Sequence, residues 1–155
     1  MEPSPRLTMP EVDAYADSSF LVSLYRKDQN EATAARFIAS RAMTIGFSPL
    51  NRVELRNALR NLAARGEITE QDRRSAFRQM DDDFHSGLLL HIAVNWIEAF
   101  RRADELSEQH ATHDGQRTID LLHVAIAIEA GAAIFLSFDR RQRRLASRAG
   151  LEVKP

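Results

Sequence analysis

Two short apolar runs in this chain each end at an aspartate, and this repeated pattern constrains the fold more than any other feature. Residues 12–16 lead into Asp17, and residues 132–138 lead into Asp139. Such runs are typical of strands buried on both faces, as in parallel sheets. Because ligands bind beyond the carboxyl ends of parallel strands, the two acids are predicted to share one crevice if the strands are neighbours.

Helical patterns separate the predicted strands, which indicates an α/β fold. Strands are predicted at residues 12–16, 43–47, 88–94, 132–138 and 151–153. Helices are predicted from residue 18 to 25 and at 30–41, 50–65, 69–84, 96–109, 117–129 and 140–148, with a loop at 110–116. Parallel neighbours require crossover connections, so this alternation predicts a sandwich with a largely parallel central sheet.

Composition supports one folded domain and excludes several kinds of site. The 155 residues are 44% hydrophobic and 28% charged without a shift along the chain, which predicts one domain over residues 12–155 after a loose lead-in at 1–11. The lack of cysteine excludes disulfides, zinc thiolates and thiol nucleophiles, and favours a cytoplasmic protein. Residues 1–12 do not resemble a secretion signal, and charged side chains interrupt the apolar stretch 119–138, so we predict no membrane insertion.

Basic residues do not outnumber acidic residues, but nearly all of them are arginine. The formal net charge is −1, yet only Lys27 and Lys154 among the 21 basic residues are lysines. Arginine has a planar fork that suits phosphate recognition. Residues 140–154 carry six basic side chains against one acid, so this segment is a candidate contact for a nucleic-acid backbone or a solvated basic helix.

Two further acids interrupt apolar helical patterns, namely Glu54 and Asp120. A carboxylate among apolar neighbours is costly unless it is paired or binds a metal. If these acids converge with Asp17 and Asp139, their oxygen ligands favour Mg²⁺ or Mn²⁺, ions that can activate water and stabilise charge during phosphodiester hydrolysis. Simpler readings stay open, because Asp17 can cap a helix and Glu54 can pair with a neighbouring arginine on the surface.

These residues resemble the PIN domain family, and more closely the VapC-type toxin ribonucleases of type II toxin–antitoxin systems. The resemblance spans the domain and rests on four segments in order. The segments are DSSFLV at 17–22, VELRNAL at 53–59, RTIDLLHVAIA at 117–127 and LSFDRRQ at 136–142.

The resemblance implies a three-layer α/β/α sandwich and a metal-dependent endoribonuclease that cleaves RNA. It implies that Mg²⁺ or Mn²⁺ is held by Asp17, Glu54, Asp120 and Asp139, which also serve as the catalytic residues. Ser18 and Ser137 are expected to support them, and the Ser137 hydroxyl can orient a water. A small antitoxin protein and a homodimer are the implied partners.

Roles for other polar residues are predicted from less specific patterns. Arg117 lies three residues before Asp120 and can orient that carboxylate or contact a substrate phosphate, and Arg140 is a second candidate for substrate binding. His123 shares a helix face with Asp120, and we expect a hydrogen-bonded structural histidine there. The acids at 81–83 point in different directions around a helix and are expected to be solvated.

Two functions compete with the ribonuclease. One is a non-catalytic regulatory or nucleic-acid-binding module with the same fold, and the other is a structure-specific DNA nuclease. The sequence lacks the glycine-rich phosphate loops, the HExxH motif and the GxSxG motif, so dinucleotide, P-loop, zincin and α/β-hydrolase chemistry lose their usual signatures.

Overall fold

A parallel sheet forms the centre of the molecule. The computed structural model describes residues 12–26 and 28–155, and only the backbone of 111–114, so the predicted lead-in at 1–11 lies outside the described residues. The strands are β1 Ala14–Ala16, β2 Ile45–Phe47, β3 Leu89–His91, β4 Ile134–Leu136 and β5 Glu152–Lys154. Their order is β3-β2-β1-β4-β5, and each of these neighbouring pairs is parallel.

Helices cover both faces of the sheet. They are α1 Ser18–Arg26, α2 Glu31–Ser40, α3 Pro49–Ala64, α4 Glu70–Ser86, α5 Trp96–Asp114, α6 Thr118–Glu129 and α7 Arg140–Arg148. Apolar side chains of α1 to α4 pack on one face, and those of α5 to α7 pack on the other. In β1, Ala14 and Ala16 face the first layer and Tyr15 faces the second, as the two-residue period of a strand requires. The α/β/α sandwich is therefore confirmed.

The register places the two strand-end acids side by side. Ala16 of β1 is opposite Leu136 of β4, and the Asp17 amide donates to the Leu136 carbonyl at 3.1 Å. The two apolar runs that end in aspartate are therefore parallel neighbours, as predicted. Since α3 follows β2 and α6 leads back toward β4, both helices begin at this same carboxyl edge.

Two elements differ most from the sequence prediction in their boundaries. The loop predicted at 110–116 is wrong at its start, because α5 continues to Asp114 and ends before Gly115, whose φ of +61° favours glycine. Polar composition alone did not break the helix. The strand predicted at 88–94 covers only Leu89–His91, because its one neighbour, β2, ends at Phe47 opposite His91.

Helices in the described part of the chain do not combine the length and the apolar character that a membrane crossing demands. The apolar stretch 119–138 divides into nearly all of α6, a turn and β4 with the two residues that follow it.

Candidate active site

A cavity of about 340 Å³ opens at the carboxyl edge of the sheet, and all four predicted acids line it. The lining residues are Asp17, Ser18, Ser19, Glu54, Arg117, Thr118, Ile119, Asp120, His123 and Asp139. Residues far apart in the sequence meet here because β1, α3, α6 and the β4–α7 junction share this edge.

Asp17 is the most enclosed of the four acids, with 5% of its surface exposed. Its Oδ1 accepts from the Phe20 amide at 3.1 Å and from the Ser19 hydroxyl at 2.6 Å, and its Oδ2 accepts from the Ser137 hydroxyl at 2.5 Å. Burial raises the pKa of Asp17 above its usual range, although these donors act in the opposite direction. Asp17 therefore caps α1 and also lines the cavity, so the two readings of this residue are compatible.

The serines on Asp17 also hold the loop that carries Asp139. Ser19 Oγ accepts from the Phe138 amide at 3.1 Å, and Ser137 Oγ accepts from the Asp139 amide at 3.0 Å. The single hydroxyl proton of Ser137 goes to Asp17. Ser137 therefore positions both acids here, and the role of its hydroxyl in orienting a water stays a prediction.

Glu54 is held by two donors from other elements. Its Oε1 accepts from the Ser18 hydroxyl at 2.8 Å and is in close contact with His123 Nε2. Burial alone would raise the pKa of Glu54, but the hydrogen bonds from His123 and Ser18 outweigh burial and lower it. The alternative of a surface pair with a neighbouring arginine on α3 does not describe these contacts.

A buried chain of hydrogen bonds lies behind Glu54. His123 Nδ1 is 2.8 Å from the Tyr15 hydroxyl, which is 3.0 Å from Ser48 Oγ. An ionised Glu54 only accepts, so in a neutral imidazole Nε2 carries the proton and Nδ1 accepts from Tyr15. Asn51 continues the chain from Ser48 and donates to the Ala16 carbonyl at 2.9 Å, next to Asp17. This chain therefore connects the positions of Glu54 and Asp17 through the interior, and His123 is hydrogen-bonded as expected.

Asp120 takes its position from an exposed partner. It lies in the first turn of α6, and its Oδ2 accepts from Arg117 Nε at 3.0 Å. The Arg117 side chain is 68% exposed, whereas that of Asp120 is 14% exposed. Arg117 is the N-cap residue of α6 and not its first helical residue, and it holds the carboxylate from the rim of the cavity.

Asp139 caps α7, because its Oδ1 accepts from the Gln142 amide at 2.9 Å. Gln142 Nε2 also donates to the Asp120 carbonyl at 3.1 Å, which joins α7 to α6. Arg140 is exposed on the first turn of α7 and is not one of the cavity-lining residues.

The donor set fits a hard divalent cation, since four carboxylates supply oxygens to one cavity. Across residues 12–26 and 28–155, no three acidic or histidine side chains lie close enough to form a complete metal centre as they stand. Glu54 and Asp120 instead contact His123 and Arg117. The convergence of the four acids at this edge agrees with the sequence, and their role as ligands stays a prediction.

Sequence reasoning missed the residues that position the acids. Ser19, Tyr15 and Asn51 bond to the site or to the chain behind it, yet no motif marks them as functional. A serine two residues after an acid is a weak signal for a side-chain turn. A lone tyrosine inside an apolar strand is the other usable sign, because its buried hydroxyl needs a partner.

Comparison by sequence gives one family. The PIN domain family model matches residues 14–148, which includes all four acids. Among curated proteins, none matches the chain.

Solved structures of the same fold extend along nearly the whole chain. One is VapC20 of Mycobacterium tuberculosis, described as a sarcin-ricin loop cleaving toxin, with 20% identity, a TM-score of 0.57 and coverage of 92% of this chain and 99% of that chain. FitAcB of Neisseria gonorrhoeae has 13% identity, a TM-score of 0.62 and coverage of 92% and 96%. VapBC2 of Rickettsia felis, bound to a promoter DNA fragment, has 16% identity, a TM-score of 0.59 and coverage of 91% and 96%. At these identities the likeness shows the fold.

Proposed function

The chain belongs to the PIN domain family, and from its four-carboxylate cavity we propose that it is a metal-dependent endoribonuclease, the toxin of a toxin–antitoxin pair. The convergence of Asp17, Glu54, Asp120 and Asp139 on one cavity carries this proposal. Carboxylates that share a site repel one another, and a divalent cation removes this cost.

In this proposal the four acids hold Mg²⁺ or Mn²⁺. When bound, such an ion supplies an activated water and neutralises charge that develops on phosphate and leaving-group oxygens. Asp17 offers a carboxylate that Ser19 and Ser137 fix in one orientation, which favours an ordered site.

Glu54 contributes a carboxylate oxygen, and its neighbours keep this carboxylate ionised. The contacts with His123 and Ser18 fall on Oε1, and they keep Glu54 ionised by lowering its pKa. Among the described residues no donor reaches Oε2. That oxygen is the one that can hold a cation or take a proton from a water.

Arg117 gives the rim of the cavity a positive charge. One side of its guanidinium holds Asp120, and the side chain is largely exposed, so the remaining N–H groups can reach a substrate phosphate. A scissile phosphate would then lie between this arginine and the acids. Arg140, at the start of α7, is proposed as a second and more distant backbone contact.

The toxin assignment rests on the relatives. VapC20 is described as a toxin that cleaves the sarcin-ricin loop, and VapBC2 is described bound to its promoter DNA. By analogy we propose that this chain cuts RNA in the cytoplasm, forms a homodimer and is held by a small antitoxin protein.

One experiment separates the proposed function from its competitors. Purified protein is mixed with labelled structured RNAs, single-stranded DNA and branched DNA, each with Mn²⁺, with Mg²⁺ and with EDTA. We expect internal cuts in RNA that require a divalent ion. Preferential cutting of DNA would make the protein a DNA nuclease, and full activity in EDTA would contradict the metal mechanism. Binding without cutting of any substrate would favour the non-catalytic module.

A further inference from the structure

A second positive surface lies on α3, on the same helix as Glu54. Arg52, Arg56 and Arg60 recur every four residues, so they lie along one side of the helix. The spacing from the first to the third corresponds to roughly 12 Å along the axis. None of the three has an ion pair with a carboxylate within residues 12–26 and 28–155.

An arginine from α4 completes this surface. The guanidinium carbons of Arg56, Arg60 and Arg73 lie 4.8, 5.5 and 5.0 Å from the centre of the Phe77 ring. We call Arg52, Arg56, Arg60, Arg73 and Phe77 the arginine platform. The ring stabilises the guanidiniums by cation–π contact but does not neutralise them.

Charge on the platform is left in excess. Glu70 pairs with Arg73, and Asp81 lies near enough to act on Arg56, so two acids stand against four arginines. Like charges at a spacing of four residues destabilise a helix, a cost that a bound polyanion removes.

Two arginines of α5 differ in this respect. Arg101 contacts both Glu98 and Glu105, and Arg102 pairs with Glu129. Those side chains have acidic partners within the fold, whereas Arg52, Arg56 and Arg60 have no ion pair with a carboxylate among the described residues.

We propose that the arginine platform binds the phosphate backbone of the RNA on one side of the cleaved bond. This inference rests on the proposed ribonuclease function and extends its substrate contact from the cavity along α3. Arg52 lies near the start of α3, two residues before Glu54 and about 200° around the helix from it, so a strand that leaves the cavity reaches the platform by passing over the exposed side of α3. The guanidinium planes also provide faces on which unpaired bases stack, which an acidic peptide does not use.

The test is binding to a 20-nucleotide poly(U) RNA, measured in EDTA over a series of salt concentrations. The variant Arg56→Gln/Arg60→Gln is compared with Arg36→Gln/Arg101→Gln, which removes the same charge from α2 and α5. For single strands each lost phosphate contact reduces the slope of log K against log salt by about 0.7, so the platform variant should lose about 1.4. The control variant should retain the slope and affinity of the wild type.

A second variant controls for the possibility that the double substitution loosens the packing between α3 and α4. Arg52→Gln removes an exposed arginine that makes no cation–π contact with Phe77 and should reduce the slope by about 0.7. Slopes equal to the control in both variants would overturn the proposal. Weaker binding of a poly-glutamate peptide with unchanged RNA binding would overturn it too and assign the platform to an acidic protein segment.

Binding in EDTA does not depend on cleavage. A protein that binds poly(U) through the platform but never cuts RNA would support this inference and contradict the ribonuclease. If the protein cuts RNA, and all platform variants bind poly(U) with the salt slope of the wild type, the result would support the ribonuclease and contradict this inference.

Discussion

The four acids of the cavity fall into two pairs that differ in what holds them. Asp17 and Glu54 are held by Ser137 and His123, whose exposed surfaces are 0% and 2%. Asp120 is held by the exposed Arg117, and Asp139 by the backbone amide of its own helix. We call them the interior-anchored pair and the rim-anchored pair. The comparison teaches that a carboxylate's own exposure does not decide how firmly it is placed, because Glu54 is more exposed than Asp120.

This difference has a consequence for mutations. An anchor in the interior belongs to the core, so its loss should damage both the fold and the site. Arg117, the anchor of Asp120, is exposed to water, so its loss should damage the site and leave the fold nearly unchanged.

Replacement of Asp17 by Asn should have the largest effect on activity. Loss of several kcal/mol of charge stabilisation from a bound cation corresponds to a decrease of about 10³-fold or more in cleavage rate. In EDTA the variant should melt no lower than the wild type, because it removes a buried carboxylate whose ionisation opposes folding. Single-turnover cleavage and thermal unfolding measure the two effects. A variant that cuts RNA at the wild-type rate would exclude Asp17 from the chemistry.

The matched variants His123→Ala and Arg117→Ala test the comparison itself. His123→Ala removes a buried anchor and leaves the Tyr15 hydroxyl short of a partner, which should cost roughly 1–3 kcal/mol of stability. Loss of an orienting partner should also reduce cleavage about 10–100-fold. Arg117→Ala should reduce cleavage while the free energy of unfolding changes by no more than about 0.5 kcal/mol. Equal destabilisation by both, measured by urea denaturation, would remove the distinction between the pairs.

Two substitutions at Asp139 separate its role as a helix cap from the role of its negative charge. Asn is as good an N-cap as Asp, so Asp139→Asn should retain stability but reduce metal-dependent cleavage. Asp139→Ala should lose the cap as well and cost about 1 kcal/mol in unfolding free energy. If the Asn variant cleaves RNA as fast as the wild type, Asp139 is a cap and nothing more.

The pH dependence of stability in EDTA sharpens the contrast within the interior-anchored pair. Burial raises the pKa of Asp17, so the folded state retains its proton longer and stability should fall as pH rises above the ordinary value of 3.8. Despite its burial, the pKa of Glu54 is lowered by His123 and Ser18, so its contribution is complete above 4.5 and is lost as pH falls through the folded value. Asp17→Asn should remove the first dependence and Glu54→Gln the second. Unfolding curves with the same pH dependence in both variants would contradict these assignments.

Much of the fold was readable because its signals are local. Apolar runs predicted the strands, and helical patterns predicted the helices between them. The family resemblance located the four acids, and parallel topology explains why Asp17 and Asp139 meet. The helical conformation of residues 110–114 was not predicted, because a polar segment can continue a helix until a residue with positive φ ends it.

The anchors of the site could not be predicted in the same way. His123 is 108 residues from Tyr15 and 69 from Glu54 along the chain, so no short motif records their contacts. The arginine platform combines α3 and α4, and its cation–π contacts depend on how these helices pack. Such partnerships follow from tertiary geometry, which single-sequence patterns do not encode.

The most direct test of the account is a Mn²⁺ titration followed by electron paramagnetic resonance, with wild-type protein and Asp17→Asn at equal concentration. The account predicts that the wild type removes free Mn²⁺ from solution at a saturable site and that the variant binds it much more weakly. Equal binding by the two proteins, or no binding by the wild type, would contradict the claim that the four carboxylates form a divalent-metal site.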